Sequence, residues 1–228
     1  MERRGARPRL HSRTAALALI ASGVLLTVTP IAYMLWPQAV PLSLDAPSLP
    51  IMVGGMTFNV PPAAVRIAVQ RRAGAQPRID LVFLWPSLTP PDPAVKATPA
   101  AAPNLSERLF VTVVASDGTL PPAERLKVIY PRYLATNATL QPDGLTRRGF
   151  RAGTPYQGEE LIYDADRPER FLLRCTHKIG ITPGMCLHER RIGTADVTVR
   201  FPRDWLADWP AVADGIDRLM TMLRPAGG

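Results

Sequence analysis

The chain has 228 residues and a formal net charge of +8. Five arginines and one glutamate lie in the first 13 residues, so the other 22 basic and 18 acidic side chains leave the rest of the chain at only +4. So small a charge argues against nucleic acid as a partner, because nucleic-acid-binding domains concentrate basic residues in a stripe or patch. The sequence also has no Gly-x-Ser-x-Gly, no His-Glu-x-x-His and no phosphate-binding glycine loop, and it predicts no catalytic residue, cofactor or metal.

The chain begins with a basic segment followed by a long apolar run. No charged residue occurs from Thr14 to Trp36. At 1.5 Å rise per residue, a helix of that length covers about 30 Å of hydrocarbon, and basic residues stay on the cytoplasmic side. The pattern predicts a cytoplasmic tail over residues 1–13, a single transmembrane helix over 14–36 in the inner membrane, and a periplasmic C-terminal domain. The arginines that orient it are Arg3, Arg4, Arg7, Arg9 and Arg13.

A cleaved secretory signal is the alternative for this segment. Such signals have a shorter apolar core of roughly 7–15 residues and end at a small-residue cleavage site. Here the run continues to Tyr33 and Trp36, which suit the headgroup layer, and cleavage after Ala39 would follow the unsuitable Pro37 and Gln38. We therefore expect an uncleaved anchor that is followed by a stalk over residues 37–49.

Residues 50–228 predict one folded domain. The pair Gly54-Gly55 lies between two short apolar runs and predicts a hairpin, whereas residues 62–71 fit either a short helix or a strand. Nearly continuous apolar residues predict strands over 79–85 and 109–115. Between these strands, the prolines and alanines of residues 86–104 predict an extended or flexible loop.

The second half of the chain predicts more strands between two helices. Pro121-Pro122 suits the first turn of a helix that Pro131 ends. Apolar residues near the C-terminus repeat at three- and four-residue steps, which predicts an amphipathic helix capped by Asp204. The predicted fold class is α+β: an N-terminal transmembrane helix, then one mainly antiparallel sheet domain with a C-terminal amphipathic helix. Its later strands are predicted over residues 145–151, 158–164, 170–177, 185–191 and 195–201.

One compact group of side chains combines Cys175-x-His177 with Cys186-x-His188, which are residue types that zinc binds. If the cysteines face each other across an antiparallel hairpin, the histidines lie on opposite sides of them, about 13 Å apart, and cannot readily share an ion. The same geometry suits a disulfide between Cys175 and Cys186. Two free thiols, or metal or redox chemistry, are the alternatives.

Other charged groups predict surface positions rather than a site. Glu159 and Glu160 alternate along one strand, so they face opposite sides of the sheet and do not form a ready carboxylate pair. We interpret these two, with Asp164 and Asp166, as solvated edges. An anion site or a solvated sheet face would both explain the remaining group, which comprises Arg147, Arg148, Arg151, Arg190 and Arg191.

Five segments resemble those of uncharacterised, single-pass, membrane-anchored proteins of proteobacteria. They are the Arg-rich start, the apolar run, the Met56–Val60 segment MTFNV, the strand IDLVFLWPSL and the closing FPRDWLADW. This resemblance implies an inner-membrane anchor with a periplasmic domain, and it brings no catalytic residues.

These features lead to three functional hypotheses. The first is a membrane-tethered, non-enzymatic binding or accessory module of the cell envelope, with the inner-membrane bilayer and an envelope protein as partners. The second is an envelope hydrolase or redox protein, which requires a pocket where His177, His188 or the acids of residues 159–166 converge. The third is an immunity- or inhibitor-like protein that meets an incoming effector.

Overall fold

The computed structural model describes residues 42–95, 107–141, 143–180 and 182–224, together with Gly23, Val28 and Pro30. The chain divides into two units, residues 1–39 and residues 40–228. In the first unit the three described residues are helical. The second unit contains two β-sheets and two α-helices among its described residues.

The smaller sheet begins with the hairpin that the glycine pair predicts. Strands β1 (Leu49–Val53) and β2 (Met56–Val60) are antiparallel and joined by Gly54-Gly55. Both glycines have positive φ, 59° and 86°, which other residues rarely adopt. A two-residue strand, β3 (Gly74–Ala75), pairs parallel to β1. The segment over 62–71, for which the sequence left helix and strand open, instead forms two short 3-10 turns.

The larger sheet has eight antiparallel strands in the order β4-β5-β11-β10-β9-β8-β7-β6. The last strand, β11, lies between β5 and β10, so both halves of the chain contribute to one sheet. In chain order the strands are β4 (Arg78–Leu84), β5 (Arg108–Ala115), β6 (Thr139–Leu140), β7 (Leu145–Gly149), β8 (Glu159–Asp164), β9 (Leu172–Thr176), β10 (Met185–Ile192) and β11 (Ala195–Pro202).

Two α-helices accompany the sheets in this unit. Helix α1 (Pro122–Val128) is followed by a 3-10 turn at Tyr130–Arg132, where the sequence placed the helix end. Near the C-terminus a 3-10 segment, Arg203–Asp208, leads into α2 (Trp209–Met222). The prediction that Asp204 caps this helix is wrong, because Asp204 lies within the 3-10 segment. The α-helix starts later, with a proline in its first turn, where its missing N–H costs no hydrogen bond.

The main core lies between one face of the larger sheet, the smaller sheet and α2. Alternate residues of β5 and β11, such as Val111 and Val199, are fully buried there, and α2 contributes Ile216 and Leu219. A second apolar cluster that includes Tyr130 and Leu161 covers part of the other face. The main core therefore covers one face of the eight-stranded sheet, and the second cluster covers only part of the other.

The membrane predictions are wrong. In the part of the chain that the structure describes, no helix combines the length and apolar character needed to cross a bilayer. Among the described residues of the second unit, the longest helix is α2, which has 14 residues and carries charged side chains, and at 1.5 Å per residue it extends only about 21 Å. The transmembrane helix over 14–36, the single-pass inner-membrane location with a periplasmic domain and the bilayer as partner are withdrawn. Nearly all of residues 1–41, including the five N-terminal arginines, lie outside the described residues.

The predicted fold class is corrected accordingly. The described residues form a mostly β domain, with a separate three-stranded sheet in addition to the eight-stranded one. Local alternation predicted individual strands but could not show that β1 and β2 pair with β3 instead of joining the larger sheet. Of the proline-rich loop, residues 96–104 lie outside the described residues. Its beginning turns back on β4, where the Leu84 N–H donates to the Thr89 carbonyl at 2.8 Å.

Candidate functional site

Seven side chains form one row across the partly covered face of the larger sheet. Each is the direct cross-strand partner of the next, from β4 at one edge to β7. Direct cross-strand neighbours have Cβ atoms about 4.5–5.5 Å apart, so each arginine can lay its aliphatic stem against apolar neighbours. We call this set the arginine row. It consists of Val82, Phe110, Arg200, Leu187, Arg174, Leu161 and Arg148.

The β7–β9 half of the arginine row is covered by the second apolar cluster. Arg174 lies 5.2 Å from the centroid of the Tyr156 ring and forms ion pairs with Glu159 at 2.9 Å and Glu189 at 3.6 Å. Burial alone would lower the pKa of Arg174, but the two carboxylates outweigh it and the pKa is raised. Arg125 of α1 also pairs with Glu189, at 3.2 Å. In this half of the row, Arg174 is therefore paired with carboxylates within the domain, and Arg148 donates a hydrogen bond to the Ala135 carbonyl at 2.8 Å.

The other half of the arginine row, over β4, β5, β11 and β10, is open. A cavity of about 500 Å³ lies there. Its floor is apolar and consists of Phe110, Met185 and Leu187, whose side chains are half-buried on this face. Its charged lining comprises Arg66, Arg78, Asp80, Arg200 and Asp204.

Asp80 is the buried charge at one side of this cavity. Its carboxylate accepts hydrogen bonds from Arg78 at 2.7 and 2.8 Å, from Thr112 at 2.9 Å and from Gln70 at 3.1 Å. The Arg78 hydrogen bond, assisted by Gln70 and Thr112, outweighs burial and lowers the pKa of Asp80 to about 2. Asp80 and Arg78 therefore neutralise each other, and the role of Asp80 is to hold this part of the sheet together.

The other two arginines of the cavity have no such compensation. The Arg66 guanidinium lies 4.8 Å from the centroid of the Phe110 ring, and Arg200 is the direct cross-strand partner of Phe110. Within the described ranges, neither Arg66 nor Arg200 forms an ion pair. The cavity is thus lined by two exposed arginines, one with its guanidinium over the half-buried Phe110 ring and one paired with Phe110 across the strands, and by the exposed Asp204.

The cysteines hold the hairpin that forms one wall of this cavity. Cys175 and Cys186 are direct cross-strand partners on β9 and β10, and a disulfide joins them with a Cα–Cα distance of 4.1 Å. The connection between these strands brings Thr182 and Pro183 to the cavity, while Ile179 in the same connection is 77% exposed. The disulfide therefore lies at the base of a loop that contributes to the site.

The two histidines do not converge. His188 is buried opposite Leu173, and its Nδ1 lies 3.2 Å from the Leu172 carbonyl oxygen. Burial, reinforced by Arg190, lowers the pKa of His188 to about 4. His177 follows the end of β9 and is exposed, 3.8 Å from Glu160. The cavity beside Phe110 has neither histidine in its lining, so it is not the shared histidine pocket that the hydrolase or redox hypothesis requires.

The acids of residues 159–166 also lie apart. Glu159 pairs with Arg174 on the face of the arginine row, whereas Glu160 is hydrogen-bonded to Arg203. Asp164 accepts hydrogen bonds from the backbone N–H groups that follow it, at 3.0 and 3.3 Å, and so stabilises the turn after β8. Asp166 is exposed, but the other three acids serve internal contacts, unlike the solvated edges that we predicted.

The arginines that could have formed an anion site are engaged individually. Arg147, Arg190 and Arg191 form ion pairs with Asp143, Asp217 and Asp196 at 3.0, 2.7 and 2.7 Å. Arg148 and Arg151 donate hydrogen bonds to backbone carbonyl groups. These five arginines therefore do not form a common anion site.

The residues of the open cavity were missed by sequence reasoning. Alternation along β11 places Val197, Val199 and Phe201 on one face, which implies that Arg200 points to the other. That signal could have placed Arg200 on the face of the sheet that lies opposite the main core. Its position beside Phe110 depends on the β5–β11 register, and the approach of Arg66 depends on the turns before β4.

No family model matches the chain, and no curated protein sequence matches it significantly. Among solved structures, the chain is similar to an immunity protein of the Stenotrophomonas maltophilia type IV secretion system. That match has a TM-score of 0.55 and 14% identity, over 79% of this chain and 94% of the other. It is also similar to the iron-regulated outer membrane lipoprotein FrpD of Neisseria meningitidis, with a TM-score of 0.43 and 10% identity, over 81% and 97% of the two chains. At this identity the first similarity establishes a shared fold.

Proposed function

We propose that this chain is an immunity- or inhibitor-like domain that binds and neutralises an effector protein through the open half of its larger sheet. The observation that carries the proposal is the cavity beside Phe110, where half-buried apolar side chains adjoin two uncompensated arginines. Protein interfaces are enriched in aromatic residues and arginine, and their strongest contacts lie in such apolar pockets.

The fold supports the choice of an effector among protein partners, because the solved structure with a similar fold is named an immunity protein of a type IV secretion system. The wider alternative is a non-enzymatic accessory module of the cell envelope. It would use the same surface and differ only in its partner. A gene for a toxic effector beside the gene of this chain would separate the two.

The proposal is tested by growth rescue. A candidate effector encoded beside this gene is expressed in a sensitive bacterium, with the full-length chain supplied as wild type or as Leu187→Asp. The leucine is half-buried in the cavity floor, so a carboxylate there should prevent docking and abolish rescue.

The matched control is Met222→Asp, which places the same charge on a 52% exposed apolar residue of α2. This control should rescue growth like the wild type. Circular dichroism melts of both purified variants establish that they are folded. Full rescue by a folded Leu187→Asp protein would exclude the cavity as the docking surface.

A further inference from the structure

We infer that the segment of the partner that enters the cavity beside Phe110 is acidic and apolar: an Asp or Glu carboxylate lies between Arg66 and Arg200, next to an apolar side chain on the floor. This inference rests on the proposed function and adds the chemistry of the partner. It follows from the charges, the hydrogen bonds and the size of the cavity.

Arg66 and Arg200, which form no ion pair among the described residues, both neighbour Phe110. Arg200 is the direct cross-strand partner of Phe110, and the Arg66 guanidinium lies 4.8 Å from the centroid of the same ring. A guanidinium group presents a planar fork of N–H donors that fits a carboxylate with two parallel hydrogen bonds. A carboxylate beside the Phe110 ring would therefore lie close to both arginine side chains.

The remaining charges of the cavity do not cancel this preference. Asp80 already accepts hydrogen bonds from Arg78, Thr112 and Gln70, and Arg78 neutralises its charge. Of the carboxylates that line the cavity, only Asp204 then remains to balance the guanidinium groups of Arg66 and Arg200. A basic segment would face net repulsion here, while an acidic segment gains complementary charge, which also steers its approach.

The floor requires an apolar side chain beside the carboxylate. Phe110, Met185 and Leu187 are half-buried, and Pro202 adds a further apolar surface. The cavity volume of about 500 Å³ is within the usual range of ligand pockets, roughly 300–1,000 Å³. That space holds a few side chains, so the occupant is a protruding segment of the partner and not a broad flat surface.

The test uses a phage-displayed library of random peptides panned against the full-length chain. Bound peptides are sequenced, and the affinity of the most enriched peptide is measured by fluorescence anisotropy. The test variant is the double substitution Arg66→Gln and Arg200→Gln. Its matched control is Arg72→Gln with Arg218→Gln, which removes the same charge from two exposed arginines outside the cavity lining.

We expect enrichment of peptides in which Asp or Glu adjoins Phe, Leu or Trp. The double cavity variant should bind them about tenfold more weakly, the loss of roughly 1.4 kcal/mol, and the control variant should bind like the wild type. Added NaCl should weaken wild-type binding, because exposed charges are screened. Enrichment of basic or purely apolar peptides, no enrichment, or equal binding by the cavity variant would each overturn the inference.

Failure of this inference can be told from failure of the proposed function. If effector rescue is lost with Leu187→Asp but persists with Arg66→Gln and Arg200→Gln, the docking surface is right and the acidic segment is wrong. If rescue persists with both variants, the docking surface is wrong. Self-association of the wild-type chain that Leu187→Asp abolishes would identify a second copy as the occupant and overturn the inference.

Discussion

Arg200 is the direct cross-strand partner of Phe110, and it stands between Phe110 and Leu187 in the row that crosses the sheet. The two residues belong to β5 and β11, from different halves of the chain. Arg200 is exposed, whereas Arg174, the next arginine of the row, is enclosed by Glu159, Glu189 and an aromatic ring. Within this row, Arg174 is therefore paired inside the domain, whereas Arg200 has no ion pair among the described residues and is available to a partner.

Acid should destabilise the domain through Asp80. Its pKa is lowered to about 2 in the folded state against about 3.9 in an unfolded chain. A carboxylate with a lowered folded pKa contributes stability that is complete above its unfolded pKa and is lost as the pH falls toward the folded value. Urea unfolding should therefore show a loss of about 2 kcal/mol between about pH 4 and pH 2.

The variant Asp80→Asn should lack this component of the acid dependence, because an amide does not titrate in that range. It should also be less stable than the wild type near neutral pH, since the Arg78 ion pair is lost. The control Asp45→Asn alters an exposed aspartate and should retain the wild-type profile. An unchanged acid profile in Asp80→Asn would contradict the assignment.

His188 should make the domain sensitive to milder acid. Burial and the charge of Arg190 lower the pKa of His188 to about 4, whereas an unfolded histidine titrates near 6.5. The unfolded chain therefore binds a proton that the folded chain excludes over this interval, so the free energy of unfolding decreases as the pH falls from about 6.5 to about 4.

The substitution His188→Phe should remove this slope. Phe171 already stacks on the imidazole at a centroid distance of 6.0 Å, so an aromatic replacement keeps a ring contact. It also removes Nε2, which is buried and has no hydrogen-bond partner among the described residues. The measurement is urea unfolding at a series of pH values, and a slope equal to that of the wild type would assign the effect to other groups.

The disulfide should stabilise the domain and shape the cavity. A thiol assay should detect neither Cys175 nor Cys186 in the native protein, and both of them after reduction. Replacing both cysteines by serine should lower the free energy of unfolding by about 3 kcal/mol, because the unfolded chain regains the entropy that the bond removes by closing this loop. Reduced wild type is the control and should match the serine variant.

The same double variant should weaken binding of the enriched peptide, since Thr182 and Pro183 of the cavity lie in the loop that the disulfide closes. The anisotropy assay measures this effect at a temperature where the variant is still folded. Wild-type affinity in the serine variant would show that the hairpin holds its position without the bond.

Gly215 should not tolerate even alanine. A Cβ at this position of α2 would overlap the Trp85 ring, with Cη2 only 2.8 Å away, and this ring is stacked against Trp205 at a centroid distance of 4.9 Å. The substitution Gly215→Ala would usually stabilise a helix by up to about 1 kcal/mol. Here overpacking should reverse the sign and lower the free energy of unfolding by about 1–3 kcal/mol.

A double-mutant cycle checks the cause of this loss. In a Trp85→Leu background, the smaller side chain leaves room for the new methyl group, so Gly215→Ala should cost less than in the wild type. Equal costs in both backgrounds, measured by urea unfolding, would show that the Trp85 contact is not responsible.

The sequence by itself determined the local elements of this protein. Apolar runs, alternation and the turns between them predicted seven of the eight strands of the larger sheet to within a few residues, because these patterns are local to each strand. Gly54-Gly55 predicted its hairpin, and the pairing that we assumed when we expected a disulfide between Cys175 and Cys186 is the one observed. Each of these features depends on residues that are close along the chain.

Only the tertiary structure decided how these elements form a surface. The pairing of β5 with β11 brings Phe110 beside Arg200, and the turns before β4 bring Arg66 over the same ring. Local hydropathy also misled, because the apolar run over 14–36 suggested a membrane span that the structure does not bear out. Contacts between distant segments depend on which strands become neighbours, and a pattern within one strand indicates its buried face but not its partner strand.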